Sequence, residues 1–296
     1  IEGLQDIPRF ERAALKALSK GIPVVALKTG SSEIGSALTV SHTGSLSGAT
    51  ELYEALFART GVISVTNPSQ FLETLKYLCV VGAPKGPRLA GFTCSGGGAT
   101  MLADYAEKIG LEFPAVGPAQ VPDLKALLPE IATVSNPLDY TTPIWGQGAR
   151  TYPVFAKVLD AVGADSAVLV QDYPAAGLDA SKGYYEQDAA AFARAAKEKG
   201  LPAAICATLP ENMDAETREF LIAEGVAPMQ GIHETLNAIG QVANWAQTRV
   251  RIASGLPAPL LPAKPSGALE MLTEDAGKSW LSRIGVPVPN GNVVPA

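Results

Sequence analysis

A short polar loop carries one of the two histidines of the chain. His42 lies in Ser-His-Thr-Gly-Ser-Leu-Ser-Gly, residues 41–48, just before apolar residues at helical spacing. A neutral imidazole is nucleophilic and titrates near neutral pH, so a histidine on a loop of small residues can act as a base or carry a transferred group. A solvated histidine without a chemical role is the alternative. The loop is a candidate catalytic site.

A glycine-rich turn is the second candidate. Ser95, Gly96, Gly97 and Gly98 directly follow an apolar run typical of a strand and precede a predicted helix. Free N–H groups at a helix start favour anion binding, and we expect the amides of Gly97, Gly98 and Ala99 to face the anion. The spacing is neither GxGxxG nor GxxxxGK[ST], so it does not indicate a nucleotide site. A tight turn is the alternative.

The other polar candidates have simpler explanations. Cys94 has no histidine near it in sequence, which favours a small buried residue over a nucleophile. His233, beside Glu234 at a predicted helix start, favours a capping or surface position. Residues 136–139, Asn-Pro-Leu-Asp, are typical of a turn, and a functional site is the second interpretation. The three cysteines have no metal-ligand spacing, so we expect no metal site.

Composition restricts the class of protein. The 296 residues are 47% hydrophobic and 18% charged, which excludes a disordered, collagenous or coiled-coil chain. This length favours two domains, with one large α/β domain as the alternative. A net charge of -6 produces no positive electrostatic field that would attract nucleic acid or an anionic membrane. No apolar run approaches the roughly 20 residues of a membrane helix. An odd number of cysteines fits a reducing, cytoplasmic setting.

Predicted strands and helices alternate, which indicates an α/β fold with parallel sheets. The first half combines a helix over residues 8–20 capped by Asp6, a strand over 22–27, a helix that ends at Gly61 and a strand over 62–65. A further helix begins at Asn67, and its apolar positions are expected to face inward. These positions are Phe71, Leu72, Leu75, Leu78 and Cys79.

Two stretches rich in glycine or proline divide the chain. We place a domain boundary at residues 82–87, after which the alternation restarts with a strand over 89–93 and a helix over 99–108. A second linker over residues 254–265 leads into a last helix, expected over 269–284. Because the chain starts at Ile1 rather than Met and stops abruptly, we expect a piece of a longer protein.

The order of these features resembles the NDP-forming acyl-CoA synthetases of the succinyl-CoA synthetase superfamily. The resemblance covers roughly residues 1 to 250, and the His-Thr-Gly loop is its most specific part. The matching stretches are Glu2-Gly3, residues 24–30, residues 41–48, residues 95–100 with Asp104, Gly110-Leu111 and residues 135–139.

The resemblance implies two flavodoxin-like domains with parallel sheets, the first truncated at its N-terminus. Residues 1–84 would form a partial flavodoxin-like domain with the phosphohistidine loop, and residues 88–252 a ligase-CoA flavodoxin-like domain. Residues 253–296 would be a linker and the start of an ATP-grasp domain.

The resemblance also implies an activity, which converts acyl-CoA, ADP and phosphate to acid, CoA and ATP through an acyl phosphate and a phosphohistidine. His42 would be phosphorylated, Glu2 would hydrogen-bond its ring, and Ser95 to Gly98 would bind phosphate. The full enzyme would use CoA, ATP or ADP and Mg²⁺, with an ATP-grasp domain or subunit as partner in an oligomer, whereas this piece would hold none of these ligands and be inactive alone. The first alternative is a non-catalytic regulatory or binding module. An FMN-binding redox domain is a second alternative, which the sequence favours less.

Overall fold

The computed structural model describes residues 1–32, 34–35, 38, 50–175, 177–178, 180–257, 260, 271–289 and 291. Within these ranges strands and helices alternate, as the sequence predicts. The strands are β1 (Val25–Leu27), β2 (Ile63–Val65), β3 (Leu89–Thr93), β4 (Leu138–Asp139), β5 (Ser166–Val170), β6 (Ala203–Ala207) and β7 (Ala227–Gln230). The helices are α1 (Ile7–Ser19), α2 (Thr50–Thr60), α3 (Pro68–Val80), α4 (Gly96–Ile109), α5 (Val121–Leu127), α6 (Gly148–Val162), α7 (Lys182–Glu198), α8 (Ala215–Ala223), α9 (Ile232–Ala253) and α10 (Glu274–Arg283).

Two parallel sheets organise the described chain, which confirms the α/β prediction. β1 pairs with β2 from Val25 opposite Ile63 to Leu27 opposite Val65. The second sheet has the order β4-β3-β5-β6-β7, and every pair in it is parallel. Its strands β3, β5 and β6 are buried along their whole length, as expected of a parallel sheet covered on both faces.

Two helices begin at the capping residues that the sequence predicts. Asp6 accepts the N–H of Arg9 at 2.8 Å, and Asn67 accepts the N–H of Gln70 at 2.8 Å. Gly61 ends α2 with a φ of +68°, and a Cβ there would lie 2.8 Å from Leu18. Only glycine therefore suits that turn, since it needs both a left-handed backbone and a close approach to α1.

The inward face predicted for α3 is wrong in part. Leu72 is 62% exposed and Cys79 is also exposed. The buried residues are Gln70, Glu73, Thr74 and Tyr77, which recur at helical spacing. The reason is that α3 packs against α9 and the edge strand β7, and the strand edge requires polar partners.

One apolar core joins the two sheets. Leu18, Ile63, Val65 and Tyr77 from the first half pack in the same cluster as residues of β3, β5, β6, β7 and α9. A second cluster fills the other face of the large sheet, around Phe92, Phe155 and Phe192. The expected boundary at residues 82–87 thus falls between two sheets that share a core.

The second predicted linker contacts the first half of the chain. The N–H of Leu260 donates to Oε2 of Glu11 at 3.0 Å, and Oε1 of Glu11 accepts from Nε of Arg59 at 2.6 Å. Helix α10 begins at Glu274 and has no buried residue. The expected start, residue 269, lies outside the described residues. In the part of the chain that the structure describes, no helix is long and apolar enough to cross a membrane.

Candidate functional site

The described residues on either side of the segment that contains His42 are hydrogen-bonded to each other. The hydroxyl of Thr50, the first residue of α2, donates to the carbonyl of Ser31 at 3.1 Å. His42 lies between these residues but outside the described residues, so its predicted position is not described. Ser31, which follows β1, and Thr50, which begins α2, therefore lie next to each other.

Glu2 lies at this same end of β1. Its neighbour Ile1 is bonded to the free edge of the strand, with the Ile1 N–H donating to Leu27 at 2.7 Å and the Ile1 carbonyl accepting from Thr29 at 3.0 Å. Lys28 interacts electrostatically with Glu2. Burial lowers the pKa of the Lys28 ammonium, and the Glu2 carboxylate partly offsets that effect. A carboxylate and a cation thus flank the stem of the loop.

The glycine-rich turn begins α4 three residues earlier than predicted. The helix starts at Gly96 after the N-cap Ser95, and the N–H of Ala99 donates to the Ser95 carbonyl at 3.1 Å. The expectation that the Ala99 amide faces an anion is therefore wrong, because that amide belongs to the helix ladder. The helix start leaves the amides of Gly96, Gly97 and Gly98 without an intrahelical acceptor.

Two of these glycines have different surroundings. A Cβ at Gly98 would lie 2.7 Å from Oγ1 of Thr93, whereas the nearest atom to a Cβ at Gly97 is Oγ of Ser95 at 3.7 Å. Thr93 Oγ1 also accepts the N–H of Ser95 at 3.2 Å. Gly98 therefore lets the helix start pack on the end of β3, and Gly97 is the position open to a ligand.

The Asn-Pro-Leu-Asp stretch supports the neighbouring strand. The amide side chain of Asn136 accepts the N–H of Gly91 at 3.0 Å and donates to the carbonyls of Leu89 at 2.9 Å and Pro114 at 3.0 Å. Asp139, at the end of β4, lies 3.6 Å from a Cβ built on Gly96. The stretch thus fixes the edge of the sheet and places a carboxylate beside the start of α4.

A buried carboxylate near this turn carries no signal in the sequence. Asp188 is fully buried on α7 and accepts hydrogen bonds from the Tyr140 hydroxyl at 3.1 Å, the Gly146 N–H at 2.9 Å and the Thr151 hydroxyl at 2.9 Å. Burial raises its pKa, against the opposing effect of these bonds. Its donors all lie within residues 140–151, and only the fold brings that stretch to Asp188, so sequence spacing cannot reveal the site.

Cys94 and His233 match the simpler interpretations. Burial, and then the charge of Asp188, raises the pKa of the Cys94 thiol to about 11, so it is not an activated nucleophile. His233 is half-exposed, with Nδ1 3.4 Å from Glu234 and its ring edge-on to Tyr105. In the described ranges, no three His, Cys, Asp or Glu side chains form a group that could hold a metal ion.

Comparison with known proteins shows what this chain is similar to. Residues 1–78 match the model of the succinyl-CoA ligase like flavodoxin domain. A subunit alpha of an ADP-forming acetate–CoA ligase II from Pyrococcus furiosus is 38% identical over 147 residues, which are 50% of this chain and 32% of the relative. The chain is similar to NDP-forming acyl-CoA synthetases of the succinyl-CoA synthetase superfamily.

The likeness to acyl-CoA synthetases extends over most of the chain. An ADP-forming acetate–CoA ligase I from Archaeoglobus fulgidus is 26% identical over 293 residues, which cover 97% of this chain and 40% of the relative. The chain therefore spans less than half the length of these two curated relatives. A solved structure of a dinucleotide-forming acetyl-coenzyme A synthetase 1 from Ca. Korarchaeum cryptofilum, in complex with phosphate and ADP, superposes with a TM-score of 0.71 at 22% identity over 87% of this chain and 54% of that one, which shows a shared fold.

Proposed function

We propose that this chain is the phosphoryl-carrier part of an ADP-forming acyl-CoA synthetase. The complete protein would convert acyl-CoA, ADP and phosphate to a carboxylic acid, CoA and ATP. The observation that carries the proposal is the position of Glu2 at the end of β1, where Thr50 and Ser31 close the loop that contains His42. The likeness to ADP-forming acetate–CoA ligases supports the reaction class.

The proposed reaction has three steps. Phosphate attacks acyl-CoA, and CoA leaves as acyl phosphate forms. The neutral imidazole of His42 then attacks phosphorus through its lone pair, the bond from phosphorus to the acyl oxygen breaks, and the carboxylate leaves. Finally ADP attacks the phosphohistidine to give ATP and the free ring. Glu2 accepts the N–H of the other ring nitrogen, which fixes the tautomer and stabilises the positive charge that develops.

The start of α4 is proposed to bind the phosphoryl group. The amides of Gly96, Gly97 and Gly98 need acceptors, and a helix N-terminus attracts negative charge. Ser95 adds a hydroxyl that makes no capping bond. Transfer of a phosphoryl group depends chiefly on positioning and electrostatics, which such a site provides.

We propose that the other ligands of the reaction bind to parts of the complete protein outside this chain. CoA and ATP or ADP would bind to further domains, with an ATP-grasp domain or subunit receiving the phosphoryl group and residues 253–296 leading into it. Mg²⁺ would accompany the nucleotide there. We also propose that the protein is cytoplasmic and acts as an oligomer.

Phosphorylation of the full-length protein tests the proposal. With ATP labelled at the γ-phosphate, wild type is expected to take up an acid-labile, base-stable label on His42, and His42→Ala to take up none. The His42→Ala protein should also lose ATP synthesis from acyl-CoA while retaining some formation of acyl phosphate, because that step does not need the carrier. A regulatory or binding module is the second candidate, and it is favoured if wild type carries no such label.

A further inference from the structure

We propose that Lys28 and Tyr53 are positioning residues that hold Glu2 beside the stem of the His42 loop. The inference deepens the function proposed above and rests on it for the activity of Glu2. The two residues come from the elements on either side of the loop, since Lys28 follows β1 and Tyr53 is in the first turn of α2. Both ends of the loop thus act on one short segment, Ile1 to Leu4.

The backbone of that segment is fixed at both ends. Ile1 bonds to Leu27 and Thr29 as in a parallel bridge, at 2.7 and 3.0 Å. Three residues later, the N–H of Leu4 donates to the hydroxyl of Tyr53 at 2.9 Å. Glu2 lies between these anchors, so its backbone has little freedom to move.

Tyr53 is itself rigidly held. Its side chain is only 7% exposed, and its ring packs edge-on against Phe57 with centroids 6.0 Å apart. The ring also contacts the Lys28 ammonium, whose Nζ lies 4.8 Å from the ring centroid. A cation over an aromatic face is attracted by the ring quadrupole, so the tyrosine restrains the lysine as well.

Lys28 completes the cluster through its charge. Its ammonium donates to the Thr29 carbonyl at 2.5 Å, faces the Tyr53 ring from α2 and interacts with the Glu2 carboxylate from the N-terminal segment. The attraction between the two opposite charges restrains the Glu2 carboxylate at the stem. In the proposed function, the same cation would disfavour a positive charge on the imidazole that Glu2 binds.

Two variants of the full-length protein separate the two contributions. Tyr53→Phe keeps the ring but removes the acceptor for Leu4, and we expect phosphohistidine formation to slow about five- to tenfold in kcat with little change in KM, the effect of about one lost hydrogen bond. Lys28→Met should move the acid limb of the pH profile to higher pH, because the imidazole then stays protonated to a higher pH. Lys28→Arg should restore the wild-type profile, and Lys20→Met, at an exposed position after α1, should not change it.

Two measurements do not depend on activity. In Tyr53→Phe, the Leu4 amide is expected to exchange its hydrogen about tenfold faster, since its acceptor is gone. In Glu2→Gln, the pKa of the Lys28 ammonium should fall further, because the carboxylate that raises it is removed. If wild type is not phosphorylated but both changes occur, the proposed function fails and the placement of Glu2 stands. If neither changes, or if the acid limb stays in place in Lys28→Met, the inference is overturned.

Discussion

The carboxylate of Glu73 accepts the backbone N–H of Gln230, with Oε2 3.0 Å from the nitrogen, although the two residues lie on different sides of the predicted domain boundary. Gln230 ends β7, the edge strand of the large sheet. The next residue, Gly231, donates to Ala207 of β6 at 2.9 Å, so alternate residues of β7 face the neighbouring strand and Gln230 faces outward. Helix α3 therefore supplies a partner that a further strand would otherwise provide.

Lys76 satisfies the second outward position of that edge. Its Nζ donates to the carbonyl of Pro228 at 2.8 Å and to Oε1 of Glu73 at 2.7 Å. Pro228 has no N–H to satisfy, which is why proline is tolerated at a strand edge. The pair on α3 thus satisfies two outward-facing backbone groups of β7 and attaches the first half of the chain to the second.

The first prediction concerns this contact. Glu73→Ala should lower the free energy of unfolding by about 2 kcal/mol, because it leaves a partly buried N–H and a partly buried ammonium without their acceptor. Denaturant titration measures the loss, and hydrogen exchange should show faster exchange at the Gln230 amide. Leu72→Ala, at the exposed neighbouring position, serves as control and should change stability by less than about 0.5 kcal/mol. Equal effects of the two variants would contradict the assignment.

The second prediction concerns Asp188 and pH. Burial raises the pKa of this carboxyl in the folded protein, so the folded state holds the proton more tightly than the unfolded chain. The contribution of Asp188 to stability should be largest below the usual aspartate range and fall as pH rises through the raised pKa. Asp188→Asn cannot ionise, so the stability of wild type relative to this variant is expected to decline from pH 4 towards neutrality.

Urea unfolding at several pH values measures that decline. Glu224→Gln, at an exposed position after α8, is the control, and its curve should run parallel to that of wild type. A constant difference between wild type and Asp188→Asn over the whole range would show that Asp188 ionises in the fold as it does in the unfolded chain.

The third prediction has the opposite pH dependence. Hydrogen bonds from Arg88 hold the pKa of Asp165 below its usual range, with Oδ2 accepting from Nε and Oδ1 from Nη2, both at 3.0 Å. The stabilisation should be present above the ordinary aspartate pKa and be lost as pH falls through the lowered one. Because Arg88 is 51% exposed, Asp165→Asn should cost only about 1 kcal/mol at pH 7.

A matched surface pair provides the control for Asp165. Asp123 accepts from Lys157 at 2.6 Å, but both side chains are more exposed to solvent than Asp165. Asp123→Asn should therefore change stability by less than about 0.5 kcal/mol at any pH. A loss as large as that of Asp165→Asn would mean that burial does not distinguish the two ion pairs.

The sequence predicts local features of this fold better than which residues of a helix are buried. Asp6 and Asn67 predict where two helices begin, because a helix cap depends only on residues within one turn. The inward face of α3 depends on the edge of β7, 157 residues away at Gln230, so the sequence predicts Leu72 inside whereas the structure buries Glu73. Apolar periodicity cannot anticipate a strand edge that needs a carboxylate and an ammonium.

The candidate site shows the same division. Ser95 to Gly98 are readable as a helix start because strand, glycines and helix follow one another in the chain. Sequence places that start three residues late, since glycine is a poor helix former and its close contact with Thr93 becomes visible only in three dimensions. The anchoring of Leu4 by Tyr53 likewise joins residues 49 positions apart, and no local pattern signals it.

The last prediction separates packing from ligand binding at the start of α4. A Cβ at Gly98 would lie 2.7 Å from Oγ1 of Thr93, so Gly98→Ala must displace the helix or the threonine and should cost roughly 1–3 kcal/mol. Gly97→Ala meets nothing closer than 3.7 Å and should leave stability unchanged or raise it by up to about 1 kcal/mol, as alanine favours helix.

Phosphate binding should follow the opposite order. The open side of Gly97 is where an anion would approach the free amides, so Gly97→Val is expected to weaken phosphate binding at least tenfold while the fold persists. Calorimetric titration with inorganic phosphate measures the affinity, and Gly97→Ala serves as the smaller step in the same direction. Thr93→Ala combined with Gly98→Ala removes the clashing hydroxyl and should recover part of the lost stability, since the two positions are in contact and their effects are not additive. Unchanged phosphate affinity in Gly97→Val, with the stability of Gly97→Ala retained, would remove these amides from the phosphate site and leave the glycines as packing residues.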